Sequence, residues 1–90
     1  MNTMEAKESS PQPIANFSTF IMGLASAALI EMGVLEDPGT QKKRQNKEAA
    51  HQHVELLKML QVKTLGNLSS DEKELLDHVL TDLKLQFAKL

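Results

Sequence analysis

The 90-residue chain has no cysteine, no tryptophan and no tyrosine. Without thiols there is no disulfide to staple a small fold and no thiolate metal centre. The only aromatics are three phenylalanines, so the Tyr and Trp platforms on which bases stack are missing. A dominant sign of charge is lacking as well. Ten Lys and Arg stand against twelve Asp and Glu, a net charge of −2, which exerts no general pull on nucleic acid or on an anionic membrane. No glycine-rich phosphate loop occurs, and Ser9, Ser10, Ser18, Ser26, Ser69 and Ser70 all fall outside the strand-to-helix elbow that activates a nucleophilic serine. These absences argue against an enzyme, and no cofactor is expected.

What the chain does have is one strongly apolar stretch, Asn16 to Gly33, in which Glu31 is the only charged residue. Wound as an α-helix, it is apolar over most of its circumference. Phe17, Ile21, Leu24, Ala25, Ala28, Leu29 and Met32 make one wide face, with Phe20, Met22, Ala27 and Ile30 on the flanks and back. Thr19, Gly23, Ser26 and Ile30 form a second, narrow stripe at i, i+4, i+7 and i+11. The uncharged run from Ile14 to Ile30, about 17 residues, lies at the bottom of the membrane-spanning range and includes Asn16, Ser18, Thr19 and Ser26. A transmembrane role is therefore not expected. Glu5 and Glu8 against Lys7 do not make the basic start of a secretory signal, and a cytoplasmic location is expected.

The rest of the chain reads as a tail and two further helices. Residues 1–13 are polar and proline-containing, a disordered tail; residues 14–90 are a single helical domain. The first helix covers about 15–33, with Asn16 or Ser18 as cap and Gly33 as its left-handed stop. A loop follows, with Asp37-Pro38-Gly39-Thr40 as a turn in which Gly39 takes positive φ. The second helix covers about 45–64 from a cap at Gln45 or Asn46. Its stripe is Ala49, Ala50, Val54, Leu56, Leu57 and Leu60, with Met59 and Val62 beside it. The third covers about 70–89. Ser69-Ser70-Asp71-Glu72 is a capping box, acids crowd its positive end, and Lys84 and Lys89 fall toward its negative end. Leu75, Leu76, Val79, Leu80, Leu83, Phe87 and Leu90 form its buried stripe, and Leu85 lies off it. The expected fold is all-α: helices two and three form an antiparallel hairpin packed on the apolar first helix.

The polar candidates have bland readings. His51 and His53 diverge by about 200° on a helix, so the His-x-His pattern cannot grip a metal from one face. His53 falls in the middle of the apolar stripe of helix two and is expected to be a core or interface histidine bonded to a neighbour; His51 and His78 face outward. His51 with Glu55 offers two ligands where a catalytic zinc needs three. Lys42, Lys43, Arg44 and Lys47 are the one basic cluster, lying where cations oppose a helix dipole. Four charges without interleaved aromatics do not make a nucleic-acid site. Asp71, Glu72, Glu74 and Asp77 lack the glycine-turned loop of a calcium site and read as a solvated face. No metal is expected.

Phe17-Ser18-Thr19-Phe20, Leu24-Ala25-Ser26, Gly33, Asp37-Pro38, Met59-Leu60, Lys63-Thr64, Gly66-Asn67-Leu68 and Leu80-x-Asp82-Leu83 occur in a fixed order and spacing. In these the chain resembles a family of small bacterial helical proteins catalogued only as a domain of unknown function. The resemblance spans about Phe17 to Phe87. It departs at Lys84 and Phe87, where an Arg and a Tyr are expected, and at Glu31, where a His is frequent. It implies an all-α cytosolic bacterial protein and transfers no catalytic residue.

Counting faces gives the functional expectation. Two single-striped helices cover only part of a helix that is apolar nearly all round, and a domain this small buries only about 60–65% of its unfolded surface. The chain is therefore expected to be a non-enzymatic interaction module that meets itself, or another protein, through Thr19, Gly23, Ser26 and Ile30. The alternative is a peripheral membrane protein that hides the first helix in lipid.

Overall fold

The computed structural model describes residues 15–90; the tail read at 1–13 lies outside them. The described residues form three helices, α1 (Phe17–Glu31), α2 (Lys47–Lys63) and α3 (Ser70–Ala88). Each packs against the other two. The expected ranges hold, with ends drawn in by up to two residues where helices fray.

Each helix starts at a side chain that takes a free backbone N–H. Asn16, in extended conformation, accepts from the Thr19 N–H at 3.1 Å and so caps α1. Asn46 does the same for α2 through Ala49, also at 3.1 Å. At α3 the full box forms: the Ser69 hydroxyl accepts from the Glu72 N–H at 3.2 Å, and the Glu72 carboxylate accepts from the Ser69 N–H at 2.9 Å. α1 stops at Gly33, whose φ of +80° is left-handed, and the chain then doubles back so that the N–H groups of Val34 and Leu35 both reach the Leu29 carbonyl. α3 has no base in its last turn; Lys89 is its C-terminal cap residue and Lys84 lies a turn earlier.

One stripe from each helix fills the core. Ile21, Ala25, Ala28 and Met32 face in from α1 and its end, Ala50, Val54 and Leu57 from α2, and Leu76, Val79, Leu80 and Leu83 from α3. Ile21, Leu57, Leu76, Leu80 and Leu83 are the largest fully buried side chains, each stabilising the fold by roughly 1.5–3 kcal/mol before entropy is counted. Met59 and Val62, placed beside the α2 stripe, are 43% and 65% exposed, and Leu85 is exposed as expected. The antiparallel hairpin is fastened at its turn end by Gln61 donating to Asp77 at 2.8 Å and at its open end by the His51 ring lying 5.7 Å from that of Phe87. The end of α1 meets the start of α2, where the Asn46 N–H donates to the Glu31 carbonyl at 2.7 Å. Helices α1 and α3 therefore point the same way.

The loop between α1 and α2 corrects one expectation. Gly39 does not take the left-handed position; Gln41 does, at φ +58°. The Asp37 carboxylate accepts from the Gly39 N–H at 2.8 Å, and a Cβ on Gly39 would come within 3.3 Å of that same oxygen. Glycine is thus favoured there by close approach rather than by φ. The Gln41 N–H returns to the Asp37 carbonyl at 2.6 Å, and the Asp37 N–H donates to the Lys42 carbonyl at 2.9 Å. Closing this turn holds a non-glycine residue in a conformation that costs about 1 kcal/mol.

Candidate interaction surface

The outward side of α1 is where the sequence placed a stripe of Thr19, Gly23, Ser26 and Ile30. Thr19, Gly23 and Ser26 are exposed. Ile30 is half-buried, at the end where the chain folds back through Val34 and Leu35. Phe20 and Met22 flank the stripe and are 52% and 48% exposed. A Cβ built on Gly23 would meet nothing within 4 Å. None of these residues carries a charge, so α1 shows solvent an uncharged strip running about 16 Å from Thr19 to Ile30.

At the far end of that strip stands the one charge of α1. The Glu31 carboxylate lies 2.7 Å from Nδ1 of His53, and both side chains are about three-quarters buried. Nδ1 also lies 3.3 Å from the Ala49 carbonyl. Two acceptors face this nitrogen, so Nδ1 holds a proton and donates it to Glu31. His53 is the bonded interface histidine the sequence suggested, although it sits on the flank of the α2 stripe toward α1 rather than in its middle. The partner, 22 residues away, gave no local signal.

The other polar groups stay apart. His51 lies 3.6 Å from Glu55 and His78 lies 3.4 Å from Asp82, both on outward faces. Among the described residues no group of three or more His, Cys, Asp or Glu is placed to hold a metal ion. Lys42, Lys43, Arg44 and Lys47 are exposed and form no ion pair with any described residue. The ammonium of Lys47 lies 5.9 Å from the centre of the Phe87 ring.

The acidic face of α3 is partly self-engaged: Asp77 accepts from Lys73 at 2.6 Å and from Gln61 at 2.8 Å. These two bonds, the Lys73 one foremost, hold the Asp77 carboxyl below the usual carboxylate range. Lys58 does the same for Glu55 from 3.0 Å. Beside Asp77 at the hairpin turn lies a groove of about 280 Å³ whose lining includes Thr64, Leu65, Leu68 and Lys73. The Thr64 hydroxyl is given to the Leu60 carbonyl, and Lys73 to Asp77. Its hydroxyl and charged groups are engaged within the protein.

Fold and surface together define a small all-α domain with charge on the outward sides of two helices and none on the outward strip of the third. Among the described residues no helix is long and apolar enough to cross a membrane. The family model described as "Domain of unknown function (DUF1844)" matches residues 14–89, and the chain belongs to that family. No curated protein and no solved structure matches it.

Proposed function

We propose that the protein is a non-enzymatic interaction module that associates with itself through the outward face of α1. One observation carries this reading: α1 alone exposes an uncharged strip, with Phe20 and Met22 half in solvent and open space above Gly23. A surface helix of a free-standing small domain usually places charge on its outward side. A charged partner would find nothing on this strip to pair with. A second copy offers the same uncharged surface, and a two-fold contact closes without leaving a new edge. The missing side chain at Gly23 lets two backbones come close. We place the module in the bacterial cytoplasm on the family resemblance and the thiol-free composition.

Burial of the strip in lipid is the second reading, and Thr19, Gly23 and Ser26 weigh against it. An interfacial helix carries bulky apolar residues at its centre and bases along its flanks; this strip has hydroxyls and a glycine, with no base in α1. Sedimentation at micromolar concentration tests the proposal. The wild-type chain is expected to run as an oligomer, and Gly23→Leu as a folded monomer. A wild-type chain that is monomeric and fully helical overturns it. Co-sedimentation of that monomer with anionic vesicles would favour the lipid reading instead.

A further inference from the structure

We propose that the groove at the turn of the α2–α3 hairpin binds a single-chain carboxylate of medium length, its alkyl chain along Leu65, Leu68 and Leu76 and its carboxylate at Lys84. The groove is lined by α2, α3 and the turn between them, with no residue of α1, so the site is independent of self-association through α1. Leu65 and Val62 are 67% and 65% exposed, the two most exposed large apolar side chains among the described residues. They line one continuous trough. Leu65 belongs to the groove of about 280 Å³ beside Asp77, Val62 belongs to a neighbouring hollow of about 400 Å³, and both spaces share Gln61, Leu65, Lys73 and Asp77.

Single exposed apolar side chains are ordinary; a concave run of them is not. Here Leu76 and Leu80, both buried, add apolar surface to the two spaces, whose volumes fall at the small end of the range that small molecules fill. The charges of the lining set the ligand's charge. Lys73 and Asp77 bond to each other at 2.6 Å, and Asp77 accepts from Gln61 as well. Lys84 is the remaining charged side chain of the lining, and it makes no ion pair with any described residue. Glu55, held low by Lys58 first and only from a distance by Lys84, is bonded to Lys58 at 3.0 Å. Glu74 and His78 line the next, shallower stretch of α3 rather than this trough. A carboxylate would pair with Lys84, with the Thr81 hydroxyl of the same hollow as a further donor. From Leu76 to Lys84 the trough runs about 12 Å along α3, which calls for a medium chain rather than a long one.

Calorimetric titration of the full chain with decanoate, kept below the concentration at which it forms micelles, measures the binding, and methyl NMR locates it. The expected result is saturable binding of one molecule per chain, with shift changes concentrated at Val62, Leu65, Leu68 and Leu76. Octanoate should bind roughly tenfold more weakly, the increment of two buried methylenes. Leu65→Gln changes a side chain that stands mostly in solvent, so the fold is kept, and it should weaken decanoate by about tenfold or more. Val62→Gln repeats that test at the other exposed side chain of the trough. Lys84→Gln should weaken decanoate about threefold, as an exposed ion pair does, and leave decanol, which has the chain without the charge, unchanged.

Absence of saturable binding at millimolar decanoate would overturn the proposal. Shift changes centred on Phe20 and Met22 would do so too, because the amphiphile would then sit on the strip of α1. Equal weakening of decanoate and decanol by Lys84→Gln would overturn the placing of the carboxylate at Lys84. None of these results bears on self-association, which sedimentation reads in the absence of any carboxylate.

Discussion

α1 and α3 run parallel in the same bundle and are built on different rules. α3 looks after its own start and surface. It has the reciprocal Ser69–Glu72 box, acids at its positive end, and the pairs Lys73–Asp77 and His78–Asp82 one turn apart along its outer side. α1 has a single Asn16 cap and no offsetting charge at either end, and it carries no charge at all before Glu31. A helix of α3's kind draws part of its stability from local interactions. A helix of α1's kind depends almost wholly on what it is packed against. Where such a helix keeps an uncharged side in solvent, that side is the surface on which the proposed association rests.

The difference is sharpest between neighbouring residues of α1. Ile21 is fully buried and Met22 about half-exposed. Ile21→Ala should destabilise the domain by about 2–5 kcal/mol in urea denaturation. Met22→Lys should leave the stability of the isolated domain within about 0.5 kcal/mol and abolish association. If Met22→Lys unfolds the domain, the outward side of α1 is part of the fold and the contrast with α3 fails.

The caps offer a smaller lever. Ser69→Ala should cost about 0.5–2 kcal/mol, and Asn16→Ala should fall toward the lower end of that range, because no second side chain reciprocates at α1. Thermal melts of the two variants compare them directly. A larger loss at Asn16 would reverse the ranking of local support.

The smallest effect is on acid sensitivity. The Asp77 carboxyl is held low by Lys73 and then by Gln61. Its folded value lies below its unfolded one, so the stability it adds is present above the unfolded value and lost as pH falls through the folded one. Asp77→Asn should therefore flatten the loss of stability in the acid range while lowering stability at neutral pH. An unchanged acid limb would mean that the Asp77 bonds contribute nothing in solution.

How much could be read in advance follows from the range of the interactions. The Ser69 box, the Asn46 cap and the Gly33 stop are set within three or four residues, and the structure holds all of them. The inner stripe of α1 follows from periodicity alone. Long-range relations were not legible. The Glu31–His53 bond joins residues that no spacing rule connects, and the half-burial of Ile30 coincides with a chain reversal beyond the helix end. The turn at Asp37 fell between these cases: its presence was signalled by Pro38 and Gly39, but its left-handed residue was set by how Asp37 and Lys42 close on each other. The outward strip of α1 was legible in the sequence at Thr19, Gly23 and Ser26, which the structure leaves exposed, and less so at Ile30, which it half-buries.

Glu31 also has a bearing on how the chain finds its fold. Its carbonyl takes the Asn46 N–H and its carboxylate takes His53, so one residue both closes the loop that follows α1 and fixes the first two turns of α2 against it. Closing a loop of this length costs little more than closing a short one, and the pairing it begins joins helices that are neighbours along the chain. Chains dominated by such contacts fold in microseconds to milliseconds. If this junction is the nucleus, Glu31→Ala should slow refolding more than it speeds unfolding in stopped-flow traces, and the hairpin of α2 and α3 would close onto a partner already half assembled.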